Sequence, residues 1–136
     1  MNLLSRYDES VAFLSSHDED WAGLIELVGP RRYDPKAARE PYEALVWAIA
    51  YQQLTAKAGD AIIGRLKGPF EGRDFPTPED LIAAEFDPLR ACGFSASKIA
   101  AIKAITQGTL DGLIPTRDIA ATMDDEALIE RMTVIK

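Results

Sequence analysis

The sequence predicts an all-α fold, a multi-helix bundle, and three observations predict it. No stretch alternates apolar and polar residues for long enough to make a strand, which needs a period of two. Residues that cap helices recur along the chain, with glycine and proline between them. One helix, PYEALVWAIAY from Pro41 to Tyr51, is apolar on all sides from Ala44 onwards and is therefore expected at the buried centre of a domain. It is far short of the ~20 apolar residues that span a bilayer. The 136 residues are enough for one domain, or a large piece of one, with a real core.

The elements follow in order. Asp8 and Asp18 read as N-caps for helices at Glu9–Ser15 and Glu19–Val28, and Gly29-Pro30 stops the second. Arg31 to Glu40 reads as a polar connection containing Pro35, which divides residues 1–40 from a main domain at 41–136. Pro41 suits the first turn of the apolar helix. Thr55 opens a helix to about Leu66, with Ala58, Ile62, Ile63 and Leu66 on its inner face, and Gly68-Pro69 closes it. Glu71 to Pro76 is a loop. Thr77-Pro78-Glu79-Asp80 has the form of a capping box. Asp87-Pro88 starts a short helix ending at Gly93, and Ser95 caps a longer one carrying Ile99, Ile102 and Ile105 inward. Pro115 and Asp118 frame a further turn of helix, and Asp124 caps Asp125–Met132. The total is roughly eight short helices.

Composition narrows the function. Nearly half the residues are apolar, as in a globular domain. Cys92 and His17 are each the only residue of their type, so neither a disulfide framework nor a protein-held zinc site is expected. MNLLSRYDES has no continuous apolar signal core, and the expected compartment is a reducing cytoplasm. The net charge of −7 does not advertise nucleic-acid binding. Residues 1–30 hold six acids against Arg6 alone, whereas residues 31–110 hold eleven basic and ten acidic residues. Any affinity for nucleic acid must then come from a few placed contacts.

Three blocks carry a resemblance. They are PYEALVWAIAYQQLTAKAGDAIIGRL (Pro41–Leu66), FPTPEDLIAAEFDPLRACGFSASKIAAIKAI (Phe75–Ile105) and DDEALIERMTVIK (Asp124–Lys136). In order and spacing they resemble the DNA-3-methyladenine glycosylase II family of the helix-hairpin-helix glycosylase superfamily. The resemblance implies a protein that turns an alkylated purine such as 3-methyladenine out of double-stranded DNA and hydrolyses its N-glycosidic bond, without a cofactor. It implies a glycine-bearing hairpin and a catalytic aspartate beyond Lys136, so no residue among these is expected to be catalytic. Leu128, Met132 and Ile135 form an apolar pattern at the chain's end. We therefore expect a fold incomplete at its C-terminus: inactive alone, open to self-association, and monomeric in the intact protein.

The chemistry fits Gln52-Gln53-Leu54. Extruding a base costs a few kcal/mol of stacking and pairing. An apolar wedge fills the vacancy, and an amide, both donor and acceptor, meets the orphaned partner base. We expect Leu54 or Gln53 to enter the stack, and Gln52 or Gln53 to meet the orphan. On the dipeptide alone, the two glutamines are simply a solvated helix end.

The second candidate contact is the helix N-terminus at Ser95, Ser97 and Lys98, where a phosphate would meet free amides. An ordinary N-cap with a surface lysine explains it equally well. Thr55 and Lys57 carry the same two readings. Trp47 and Tyr51, one turn apart, are candidates for a base pocket; core is the better reading for Trp47, and Tyr51 stays open. Capping and solvation explain Asp124, Asp125 and Glu126 better than catalysis does.

Two alternatives belong to other classes: a lesion-binding module without chemistry, and a helical protein-interaction module. Salt dependence of DNA binding separates them. An iron–sulfur cluster would need four cysteines, and no glycine-rich phosphate loop is present.

Overall fold

The computed structural model describes residues 3–30, 39–70 and 72–135, and every described regular element is a helix. Most of the connection expected at Arg31 to Glu40, and Glu71 of the next loop, lie outside the described residues. The chain forms two compact units, Met1–Lys36 and Ala37–Lys136.

The first unit is a hairpin of α1 (Leu3–His17) and α2 (Glu19–Val28). Asp18 caps α2, its carboxylate accepting the Trp21 N–H at 2.8 Å, and Gly29 ends the helix at φ 75°. Asp8 is not a cap. It lies in the interior of α1, because no glycine or proline precedes it and a helix, once nucleated, propagates through residues that permit it. Val11 and Leu14 face Leu24 and Ile25 across an apolar crease.

The second unit contains α3 (Pro41–Tyr51), α4 (Ala56–Lys67), α5 (Pro78–Ala83), α6 (Phe86–Cys92), α7 (Ala96–Leu110), α8 (Arg117–Ala120) and α9 (Asp125–Thr133). Nine helices are thus described, against about eight expected. α7 is the spine, in contact with α3, α5 and α6, while α4 packs on α3 and α6. Ile99, Ile102 and Ile105 of α7 meet Val46, Ile63, Leu81 and Phe94 in a single core.

α3 departs from its expected all-round burial. Only Tyr42, Val46 and Ala50 are buried, a single i, i+4, i+8 stripe, while Ala44 and Ala48 are exposed. Among the helices in close contact with it, α7 and α4 cover that stripe and leave Leu45 and Ile49 partly covered.

Local capping sets the helix starts. Thr55, Thr77, Ser95, Thr116 and Asp124 each accept a backbone N–H three residues on. Thr77 and Asp80 complete the capping box. α6 starts one residue before Asp87, with Glu85 at its cap position, and Gly93 ends it in the left-handed conformation.

Cations close other helix ends. Lys103 Nζ donates to the carbonyls of Leu81 (2.7 Å), Ile82 (2.9 Å) and Ala84 at the C-terminus of α5. Burial holds its ammonium below the usual lysine range. Tyr42, buried beside Phe75, donates its hydroxyl to the Pro76 carbonyl at 3.1 Å, and burial raises its phenol well above the ordinary range.

Candidate functional site

The segment after α3 forms a tight turn. Leu54 N–H bonds back to the Tyr51 carbonyl at 3.1 Å. Gln52 has φ −53° and ψ 126°, and Gln53 has φ 60°. These values describe a type II turn, which demands a positive φ at its third residue and therefore favours glycine there. Gln53 is the one described non-glycine residue with positive φ. A left-handed L-residue carries a penalty of roughly 1–2 kcal/mol. A strained side chain where glycine would sit more easily is the kind of outlier from which a functional hypothesis starts.

The corner is open. Gln52 and Gln53 are exposed, and Leu54 is 40% exposed. Leu54 borders a groove of about 380 Å³ with Ala58, Ile62, Arg65, Ser95 and Lys98. The fold therefore brings Leu54 of the expected wedge and Ser95 and Lys98 of the second expected contact, 41 and 44 residues further on in sequence, to one depression.

Within that groove the roles divide. Ser95 Oγ accepts the Lys98 N–H at 3.2 Å and pairs with Ser97 Oγ at 3.1 Å, which leaves the Ala96 and Ser97 amides at the exposed start of α7. Thr55 caps α4 through the Ala58 N–H at 3.3 Å, and Lys57 stands exposed beside it. Lys98, open between a phosphate contact and a surface lysine from sequence, is partly buried here. Its ammonium donates to the carbonyls of Ala50 (3.2 Å) and Gln52 (2.9 Å), at the end of α3.

The unit's cations are widely occupied in this way. Arg65 donates to the Cys92 carbonyl at 2.7 Å, Arg90 to Phe94 at 2.6 Å, and Arg131 to Gly112. They serve as helix and turn caps, so fewer of their N–H donors are free for a ligand than the formal count of basic residues suggests.

Trp47 and Tyr51 stack on one another with centroids 5.5 Å apart and planes at 21°. Arg39 lies 4.3 Å over the Trp47 ring and pairs with Glu43 at 3.3 Å; Trp47 Nε1 donates to the same carboxylate at 3.2 Å. On its other neighbour, Tyr51 lies against Gly59, where an added Cβ would come within 2.6 Å of the ring. Its hydroxyl donates to Asp60, and that bond raises the phenol above its ordinary range. The rings pack on each other, the arginine and α4. Only a glycine at 59 lets Tyr51 lie this close.

Asp60, Gly59 and Arg65 were not singled out from sequence. A glycine inside the amphipathic α4 was the available signal, since it weakens a helix unless close packing requires it. Asp124 caps α9 through the Ala127 N–H at 2.8 Å. Burial raises the Cys92 thiol, which makes it a poor nucleophile.

Residues 46–133 match the family model for the HhH-GPD superfamily base excision DNA repair protein. The chain belongs to that superfamily. It is 47% identical over 126 residues to DNA-3-methyladenine glycosylase 1 of Schizosaccharomyces pombe, covering 90% of this chain and 54% of that one. An alkylbase DNA glycosidase-like protein of the same organism is 32% identical over 133 residues, covering 97% of this chain and 62% of that one. Among solved structures, the S. pombe 3-methyladenine DNA glycosylase in complex with abasic DNA aligns with a TM-score of 0.80 at 44% identity, over 94% of this chain and 63% of that one. A DNA-3-methyladenine glycosidase from Bacillus halodurans aligns with a TM-score of 0.76 at 28% identity, over 90% and 55%. The chain thus spans 54% and 62% of the lengths of these two curated relatives. The all-α superfamily fold expected from sequence is the fold observed.

Proposed function

We propose that this chain is the lesion-probing part of a base-excision DNA glycosylase acting on alkylated purines such as 3-methyladenine in double-stranded DNA. The observation that carries the proposal is the exposed Gln52-Gln53-Leu54 turn, with Gln53 held at φ 60° beside the half-exposed Leu54. A turn that bears strain to present an amide and an apolar tip suits entry into a base stack. The relatives named for 3-methyladenine support the substrate class, and the abasic-DNA complex of one supports the ligand.

In the proposed mechanism Leu54 or Gln53 takes the place of the everted nucleotide, and an amide of Gln52 or Gln53 pairs with the orphaned base. Backbone amides at Ser95–Ser97, with Thr55 and Lys57, hold phosphates. Bond cleavage develops positive charge on the sugar and requires an anion close to it. We assign that role to no residue of this chain, and incubation of the chain with methylated DNA should free no 3-methyladenine.

The test compares the chain's affinity for an abasic-site duplex and an intact one. Gln53→Ala and Leu54→Ala should each lower the preference for the abasic duplex about tenfold, equivalent to ~1.4 kcal/mol. Unchanged preference in both variants overturns the wedge role.

A second reading, a protein-interaction module, draws on an apolar groove of about 220 Å³ between Leu45, Ile49, Ala101, Ile105, Met132 and Ile135. It expects self-association together with DNA binding that is weak and lacks a salt slope.

A further inference from the structure

The strained turn needs something to hold it, and the structure shows what does. In a type II turn the central peptide is flipped relative to a type I turn, so the carbonyl of the second residue faces the opposite way. Here that carbonyl belongs to Gln52, and it accepts from Lys98 Nζ at 2.9 Å. The same ammonium takes the Ala50 carbonyl at 3.2 Å, one of the last of α3 to lack a helical donor. A positive charge at a helix C-terminus is also favoured by the helix dipole. Without a donor on the Gln52 carbonyl, the peptide could rotate to the type I form, which places its third residue at about −90° and relieves the strain.

We infer that Lys98 is the positioning residue for the Gln52-Gln53-Leu54 turn: its grip on the Gln52 carbonyl selects the type II form and so fixes Gln53 in the left-handed conformation. Two of its three N–H groups are engaged in that task. Its contribution to recognition is selectivity for a lesion over intact duplex, rather than general attraction to phosphate. The functional part of this assignment rests on the proposed role of the turn in DNA; the conformational part does not.

Two measurements on the 136-residue chain test it. The first needs no DNA: a strong intraresidue Hα–HN nuclear Overhauser effect at Gln53 marks positive φ. It should persist in wild type and in Lys98→Arg, and weaken in Lys98→Met and Lys98→Gln. The second compares the affinities for abasic-site and intact duplexes at two salt concentrations. Lys98→Met should lose about tenfold of the preference for the abasic duplex. Its affinity for intact duplex should stay within about twofold, with an unchanged salt slope. Lys98→Arg should restore most of the preference.

Retention of the Gln53 effect in both Lys98→Met and Lys98→Gln overturns the assignment. So does an equal loss on both duplexes with a salt slope shallower by about one, which is the mark of a phosphate ligand. Loss of the effect with an unchanged preference overturns the link to selectivity. A wild-type chain with no preference for the abasic duplex overturns the proposed function instead, and the Gln53 effect alone then decides the role of Lys98.

Discussion

Two lysines five positions apart on α7 do the same job at different corners, and the corners behave differently. Lys103 gathers three carbonyls at the end of α5, and the chain leaves through Ala84 at φ −62° and ψ 134°, an unstrained extended conformation. Lys98 gathers two carbonyls at the end of α3, and the chain leaves through Gln53 at φ 60°. The α5 corner is half covered, whereas Gln52 and Gln53 lie in the open. A lysine cap alone therefore says nothing about function. In the proposed function, strain beyond the cap on an exposed side chain is what separates the corner that presents residues from the one that holds the fold.

Removing the α5 cap should have the largest effect on stability. Lys103→Met leaves carbonyls without a donor and should destabilise the folded chain by about 2–3 kcal/mol, read by urea unfolding. The ratio of abasic to intact duplex binding should not change. A changed ratio would erase the contrast between the corners.

Gly59→Ala comes next. The new Cβ would meet the Tyr51 ring at 2.6 Å, against a side chain already fixed by Trp47 and Asp60. Overpacking of this kind costs roughly 1–3 kcal/mol. It should also lower the abasic-duplex preference, because Tyr51 is the first residue of the turn. Stability at the wild-type level would show that the ring moves aside freely.

Acid should find the α5 region through Asp80. The Thr77 backbone N–H, helped by the Thr77 hydroxyl and Arg73, holds this carboxyl below its ordinary value of 3.8. A depressed carboxylate contributes stability that is fully present above that value and is lost as pH falls through the lower folded-state value. Asp80→Asn should therefore flatten the acid limb of the stability curve below pH 3.8 and leave lesion preference intact. An acid limb identical to wild type would remove Asp80 from the account.

The smallest effect has the opposite sign. Gln53→Gly relieves the left-handed penalty but adds unfolded-state freedom, for a net gain of about 0.5 kcal/mol. The same change should abolish most of the abasic-duplex preference. A variant both more stable and equally selective would mean that the strain at Gln53 serves nothing.

Sequence by itself determined most of the helix starts and the order of elements. Asp18, Thr55, Thr77, Ser95 and Asp124 were legible as caps because each bond closes within three residues and needs no partner from elsewhere. The inward isoleucines of α7 were legible from their spacing. Gln52, Gln53 and Leu54 were legible as a candidate contact only inside a longer pattern.

Tertiary structure decided the rest. α3 is covered on one stripe rather than all round, because coverage depends on how many helices pack against it and not on how apolar it is. One miss was local instead: Asp8 became helix interior through propagation that a cap preference could not oppose. Lys98 met its carbonyls across 46 and 48 residues of sequence, a distance at which no local pattern names a partner. The sign of φ at Gln53 belongs with these. It depends on which way one peptide faces, and in this fold a cation from another helix holds that peptide in place.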